Sequence, residues 1–198
     1  MHLYTKKQME FLYLFLYRSI SGAQNGYGYA RSNMLSVATL LMVFMAMGLI
    51  LYAGYENTHT GFRIAAGLCG LGAVLSAVMV DQSFRNRGGG KLYDIHLWET
   101  ITTGAITLGA VLVGGNLLYI LASIYPGLIL HKGFVNLGAG LLWWDSRTDD
   151  PTGDTFSIPS LGIAIPRAAT TIRIILAVAS LVLAALTFAL GWSFQVIT

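Results

Sequence analysis

The feature that most constrains this chain is the length of its stretches without Asp, Glu, Lys or Arg. Three such stretches cover residues 32–55, 100–131 and 174–198, and a shorter one covers 64–80. A helix needs about 20 apolar residues to cross a hydrocarbon core about 30 Å thick, and the first three stretches are long enough. Only 11% of the chain is charged, whereas about a quarter is usual in a soluble domain. The sequence therefore predicts an integral membrane protein.

The predicted fold class is all-α, a polytopic membrane protein that forms a single membrane domain over residues 1–198. The charge-free stretches predict four transmembrane helices. Their approximate bounds are 33–55, 63–80, 100–123 and 172–196. The third helix is ended at Ser123 because proline disfavours helix at the residue before it, and Pro126 and Gly127 follow.

Two further segments are predicted to be helical without crossing the membrane. Residues 1–31 combine basic side chains with an aromatic run over 11–17, which suits an amphipathic helix in the headgroup layer, followed by a glycine-containing loop over 21–31. Residues 128–144 contain Lys132 and end in two tryptophans, which favours a re-entrant or interfacial helix. The alternative of five spans is disfavoured because a lysine near the centre of a span costs about 3 kcal/mol.

The distribution of basic residues predicts the orientation. With four spans and the N-terminus inside, seven Lys and Arg residues fall on the cytoplasmic side and five on the other, as the positive-inside rule requires. We therefore expect a multi-pass protein of a bacterial-type inner membrane with a cytoplasmic N-terminus. No basic run exceeds Lys6-Lys7, so nucleic acid is not expected as a partner.

Small residues recur at helical spacing on two of the predicted spans. Such residues let helix backbones approach closely, and close packing drives helix association in lipid. The predicted helix-packing interface consists of Ala66, Gly70, Ala73 and Ala77 on the second span and Thr103, Thr107, Ala110 and Gly114 on the third.

No constellation of residues predicts chemistry. The interiors of the four spans hold no charged side chain, and such side chains are the usual mark of a transport pathway. Asp94, His96 and Glu99 are the nearest approach to a metal site, but they lack the motifs and the further ligand that a metal requires. Cys69 stands alone inside the second span and is interpreted as a packing residue. We expect no catalytic residue, no metal and no cofactor, and therefore no enzyme.

These observations favour a non-catalytic structural subunit of a larger multi-protein membrane complex, such as a secretion or conjugation machine. Its expected partners are other membrane subunits, in a hetero- or homo-oligomer, and lipids. The first alternative is a pore or transport component in which residues 126–144 line a path. The possible pore or interfacial residues are Lys132, Asn136, Trp143 and Trp144. A membrane anchor of a respiratory oxidoreductase is the third hypothesis, disfavoured because no histidine lies in the middle of a predicted span.

Overall fold

The computed structural model describes residues 2–55, 58–86, 89–143, 155–166 and 170–195. In this part of the chain seven helices and one small antiparallel hairpin follow one another, with short 3-10 turns at Lys91–Tyr93 and Pro159–Leu161. The elements are α1 His2–Tyr29, α2 Met34–Tyr55, α3 Thr60–Arg85, α4 Ile95–Leu112, α5 Leu117–Ala122, α6 Ile124–Gly138, β1 Thr155–Ile158, β2 Ile163–Pro166 and α7 Thr170–Ala189. The predicted helical fold class is confirmed for the bundle itself.

Three helices are long and apolar enough to cross a membrane. They are α2, α3 and the nearly continuous pair α5 and α6, which covers Leu117–Gly138. A shorter apolar helix, Ile174–Ala189, forms most of α7. Large apolar side chains point outward from these helices, as a lipid-facing surface requires; Leu51, Leu68 and Leu75 are each more than 60% exposed.

The predicted third span over 100–123 is wrong as a single helix. α4 ends at Leu112, and Gly114 follows with a positive φ of 78°, a conformation that glycine adopts without steric cost. Asn116 then caps α5 by accepting a hydrogen bond from the Leu118 amide. The chain therefore turns about ten residues earlier than the proline suggested.

The predicted break at Pro126 is also wrong, and with it the separate element over 128–144. Pro126 is the third residue of α6, and proline is tolerated in the first turn of a helix, where its missing N–H has no intrahelical acceptor. Ser123 joins α5 to α6, because its amide bonds back to Tyr119 and its carbonyl accepts from Gly127. The joined helix ends at Gly138.

The largest difference from prediction concerns the N-terminal segment. α1 continues to Tyr29 without a loop at Ser21, and it contacts every other helix of the bundle. Leu14 and Tyr17 are 1% exposed and belong to the main apolar core. α1 is therefore a central helix rather than one lying along a membrane surface.

Two glycines allow α1 to pack closely against α6. A Cβ built on Gly22 would lie 2.4 Å from His131 Cα, and one built on Gly26 would lie 2.3 Å from the Phe134 carbonyl oxygen. These two glycines are four residues apart, a spacing that lets backbones pack closely. The interpretation of 21–31 as a glycine-containing loop missed this role.

The helices alternate in direction and define two ends of the bundle. At what we call the Asp94 end, a buried cluster of Leu35, Val80 and Phe84 joins the start of α2 to the end of α3 and packs against the end of α1 and the start of α4. At the Asn116 end, the start of α5 meets the first turns of α1 and the residues that follow α7. α1 therefore runs parallel to α5 and α6, and antiparallel to α2.

The predicted small-residue stripes pack within the chain itself. Ala66, Gly70, Ala73 and Ala77 are all buried in α3, and a Cβ on Gly70 would lie 2.4 Å from Ile50 Cγ1 of α2. On α4 the four predicted residues differ in their burial.

Ala110 is buried, Thr103 and Thr107 are half-buried, and Gly114 lies beyond the end of α4. The close approach on this helix is at Gly109, against Leu49.

Candidate functional site

Polar side chains of α1 point into the interior of the bundle. Arg18, Gln24 and Asn25 are 7%, 1% and 3% exposed, and Glu10 is half-buried. Each of the four contacts a polar group on another helix. We call these four side chains of α1, together with the polar groups that they contact on other helices, the polar seam. Fifteen residues separate Glu10 from Asn25, so the seam extends about 22 Å along the helix axis.

At the Asn116 end, one amide side chain connects three segments. The Asn116 backbone N–H donates to Glu10 Oε2 at 2.6 Å. Its Oδ1 accepts from the amides of Leu118 and Phe194, and its Nδ2 donates to the Trp192 carbonyl at 3.0 Å. Asn116 therefore ties α1, the start of α5 and the chain after α7 together, which is a structural role.

At the middle of the seam, Arg18 donates hydrogen bonds to two hydroxyl groups. Nη1 lies 2.5 Å from Ser123 Oγ, and Nη2 lies 3.4 Å from Thr107 Oγ1. Both hydroxyls donate their own protons to carbonyls of their own helices, Ile120 and Thr103. They therefore act as acceptors toward the guanidinium group.

Nearer the Asp94 end, Gln24 joins α1 to α2 and α3. Its Nε2 donates to Thr39 Oγ1 at 2.8 Å and to the Ala77 carbonyl at 3.0 Å. Both bonds are buried, so they hold α1 in place where it crosses the small-residue face of α3.

The last part of the seam, which we call the Glu99 cluster, contains ionisable groups. Glu99 Oε1 lies 2.8 Å from His131 Nε2, and Glu99 Oε2 lies 3.8 Å from His96 Nδ1. Asn25 Nδ2 lies 3.4 Å from the same His131 nitrogen, and Asn25 Oδ1 is buried without a hydrogen-bond partner. The Glu99 and His131 side chains are 17% and 19% exposed. The cluster links α1, α4 and α6.

A carboxylate and two imidazoles share one partly buried site, and these groups can both donate and accept protons. Within the described ranges, no group of three or more His, Cys, Asp and Glu side chains is placed to hold a metal ion.

Just outside the cluster, Asp94 caps α4 and holds the hairpin. Its Oδ1 accepts from the amides of His96 and Leu97, and its Oδ2 accepts from the Ser160 amide at 2.9 Å. Burial by itself raises the pKa of the Asp94 carboxyl. Hydrogen bonds from Ser160, Leu97 and His96 lower it, and the net pKa lies below the ordinary value.

The residues predicted to line a path are placed differently from one another. Lys132 is half-buried, and Asn136 is 1% exposed with its Nδ2 donating to the Trp143 carbonyl. Gly133 lies directly against the Trp143 indole. Trp144 lies outside the described residues. The chain after α6 therefore folds back onto its own helix at Asn136 and Gly133.

Sequence reasoning missed Arg18, Gln24, Asn25 and His131 as members of one site. The signal that could have found them is the seven-residue spacing of Arg18 and Asn25 and of Tyr17 and Gln24, which places each pair on one helix face. A helix that ends near Ser21, as predicted, separates the two members of each pair.

Comparison with protein-family models, with curated proteins and with solved structures finds no match to this chain. The geometry described above therefore carries the functional argument.

Proposed function

We propose that this chain is a non-catalytic structural subunit of a larger membrane complex. The observation that carries the proposal is the contrast between α1, which lies inside the bundle, and α7, which lies at its edge. α1 fills the interior and binds its neighbours through the polar seam, whereas α7 packs against the rest of the bundle by a narrow face. Among its described side chains only Ala177 and Thr187 are buried.

The exposed side chains of α7 are apolar over its whole described length. Ile175, Val178 and Val182 are 61%, 57% and 52% exposed. In a bilayer, helices associate through side-chain packing rather than through hydrophobic burial. An apolar edge helix on a rigid bundle therefore provides a surface against which a neighbouring subunit can pack, with lipid covering the remainder.

We also propose more than the four spans that the sequence suggested. The alternating directions of the helices support a topology in which α4 and α7 cross together with α2, α3 and the joined α5 and α6, while α1 lies inside. An 18-residue helix such as α4 is about 27 Å long, which lies within the range for a span.

The same arrangement reverses the proposed orientation. The Asp94 end has Arg31, Arg85 and Lys91 near helix termini, and by sequence the segments joining helices there add Arg87, Arg147 and Arg167. The Asn116 end has Lys6, Lys7 and Arg63. Because basic residues are retained in the cytoplasm, the Asp94 end is proposed to be cytoplasmic, and the start of α1 lies on the other side of the membrane.

The test is the state of the protein after extraction in a mild detergent. Native mass spectrometry of the tagged chain is expected to show it with further subunits, and Val182→Trp on α7 is expected to release them. The matched control is Leu75→Trp on the 66% exposed face of α3, which should leave the assembly intact. A wild-type chain that is purified as an unaccompanied monomer contradicts the proposal.

The Glu99 cluster favours a second candidate, a transport component that moves protons. Ionisable groups inside a membrane bundle are functional suspects by default, and Asn25 Oδ1 adds a buried acceptor without a partner. Such a path would pass through the cluster rather than along 126–144. Proton flux into liposomes that Glu99→Gln abolishes, in a protein that stays folded, would favour this candidate. Absence of flux in the wild type would exclude it.

A further inference from the structure

A buried positive charge lies in the middle of α1, and among the described residues it forms no ion pair. Arg18 is 7% exposed. Its hydrogen bonds go to Ser123 and Thr107, which are neutral, and the ion pairs within the described chain involve other residues. The guanidinium group is always protonated and has five N–H donors, so two hydroxyl acceptors leave it both charged and incompletely bonded.

The Arg18 side chain packs against a glycine of α6, which leaves room for it. A Cβ on Gly127 would lie 2.6 Å from Arg18 Cδ and 2.9 Å from Arg18 Cβ, so only glycine leaves room for the arginine stem at this position. An uncompensated buried charge is strongly destabilising, and a charge within a membrane bundle marks a functional site more often than a structural one.

We propose that Arg18 is the centre of an anion site, enclosed by α1, α4 and the joined helix α5 and α6, and that its ligand is a small monovalent inorganic anion such as chloride. The anion would accept the guanidinium N–H groups that Ser123 and Thr107 do not use. Each of these hydroxyls donates its proton to a carbonyl of its own helix, so the arginine supplies the attraction and the hydroxyls orient it.

A free anion fits this position better than a lipid headgroup. Ser123 is the seventh residue of the candidate span Leu117–Gly138, so Arg18 lies about 9 Å from the start of that helix, measured along its axis. Phosphate headgroups lie outside the hydrocarbon region, which begins near the ends of a span.

The experiment measures the melting temperature of the purified full chain in a neutral detergent, with chloride replacing gluconate at constant ionic strength. A ligand that binds only the folded state raises the melting temperature with its concentration, by about 5–11 °C at a hundredfold excess over Kd for a chain of this size. Wild type is expected to show this saturable rise, and Arg18→Gln to lose it. Arg85→Gln, which removes an exposed arginine paired with Asp81, is the matched control and should retain it.

Chloride-35 NMR on the wild-type protein provides a second readout that does not depend on whether Arg18→Gln folds. The chloride signal is expected to broaden in the presence of protein and to narrow when bromide competes. A wild type with neither broadening nor chloride-dependent stability overturns the proposal. Stabilisation by vesicles of anionic lipid in gluconate, with none from chloride, overturns the free anion and assigns the site to a headgroup.

Discussion

Replacing Gly22 with alanine tests whether α1 lies as close to α6 as the structure places it. The added Cβ would lie 2.4 Å from His131 Cα and 2.9 Å from the His131 carbonyl oxygen, whereas ordinary contacts begin near 3.4 Å. Both atoms belong to the backbone and cannot rotate away, so the two helices would have to separate by about 1 Å.

Overpacking of this kind costs about 1–3 kcal/mol, and a backbone clash belongs at the upper end. Alanine recovers about 1 kcal/mol because it is a better helix former than glycine. Gly22→Ala is therefore expected to lower stability by about 2 kcal/mol, which for a chain of this size lowers the melting temperature by about 4–8 °C.

Gly104→Ala is the matched control, because it is the same substitution within α4 and no atom lies within 4 Å of the added Cβ. It should be neutral or should raise the melting temperature by a few degrees. Both variants can be compared by tryptophan fluorescence during thermal unfolding in detergent. Equal shifts for the two variants would refute the close packing of α1 on α6.

Two further predictions concern the ends of the bundle. Because its hydrogen bonds place the pKa of Asp94 below the ordinary value of 3.8, the carboxylate stabilises the folded state at higher pH. This contribution is lost as the pH falls below about 4. The protection of the Ser160 amide against hydrogen exchange, relative to the intrinsic rate at each pH, should fall there, and Asp94→Asn should remove that fall. Asn116→Ala removes three side-chain hydrogen bonds and should cost about 3 kcal/mol. Faster proteolysis after Trp192 would report the loss. Unchanged proteolysis would argue that Asn116 does not hold the chain after α7 against the bundle.

Apolar content and turn residues were sufficient to predict α2 and α3, because a lipid-facing helix needs a long run of apolar side chains and little else. The bounds 33–55 agree closely with Met34–Tyr55. Apolar content and turn residues were insufficient to predict the joined helix α5 and α6. Gly114 follows the end of α4 and Asn116 caps the start of α5, whereas Pro126 does not interrupt the helix.

α1 could not be placed from its own sequence, because its polar residues suit a membrane surface as well as an interior. What decides between the two is the set of partners on other helices, such as Ser123 for Arg18 and Thr39 for Gln24. Those pairs are more than ten residues apart along the chain and have no local pattern. Gly22 and Gly26 are visible in the sequence, but glycine is equally common in loops.

The most direct test of the central position of α1 is thiol labelling of single cysteines introduced into α1 after Cys69→Ala. Ser21 is 5% exposed within the bundle, and Ala30 is exposed just beyond the end of α1. A water-soluble maleimide should label Ala30→Cys quickly in native membranes and should label Ser21→Cys only after denaturation. Labelling of Ser21→Cys as fast as Ala30→Cys would show that α1 is open to water at this point, and it would contradict the buried helix on which the polar seam depends.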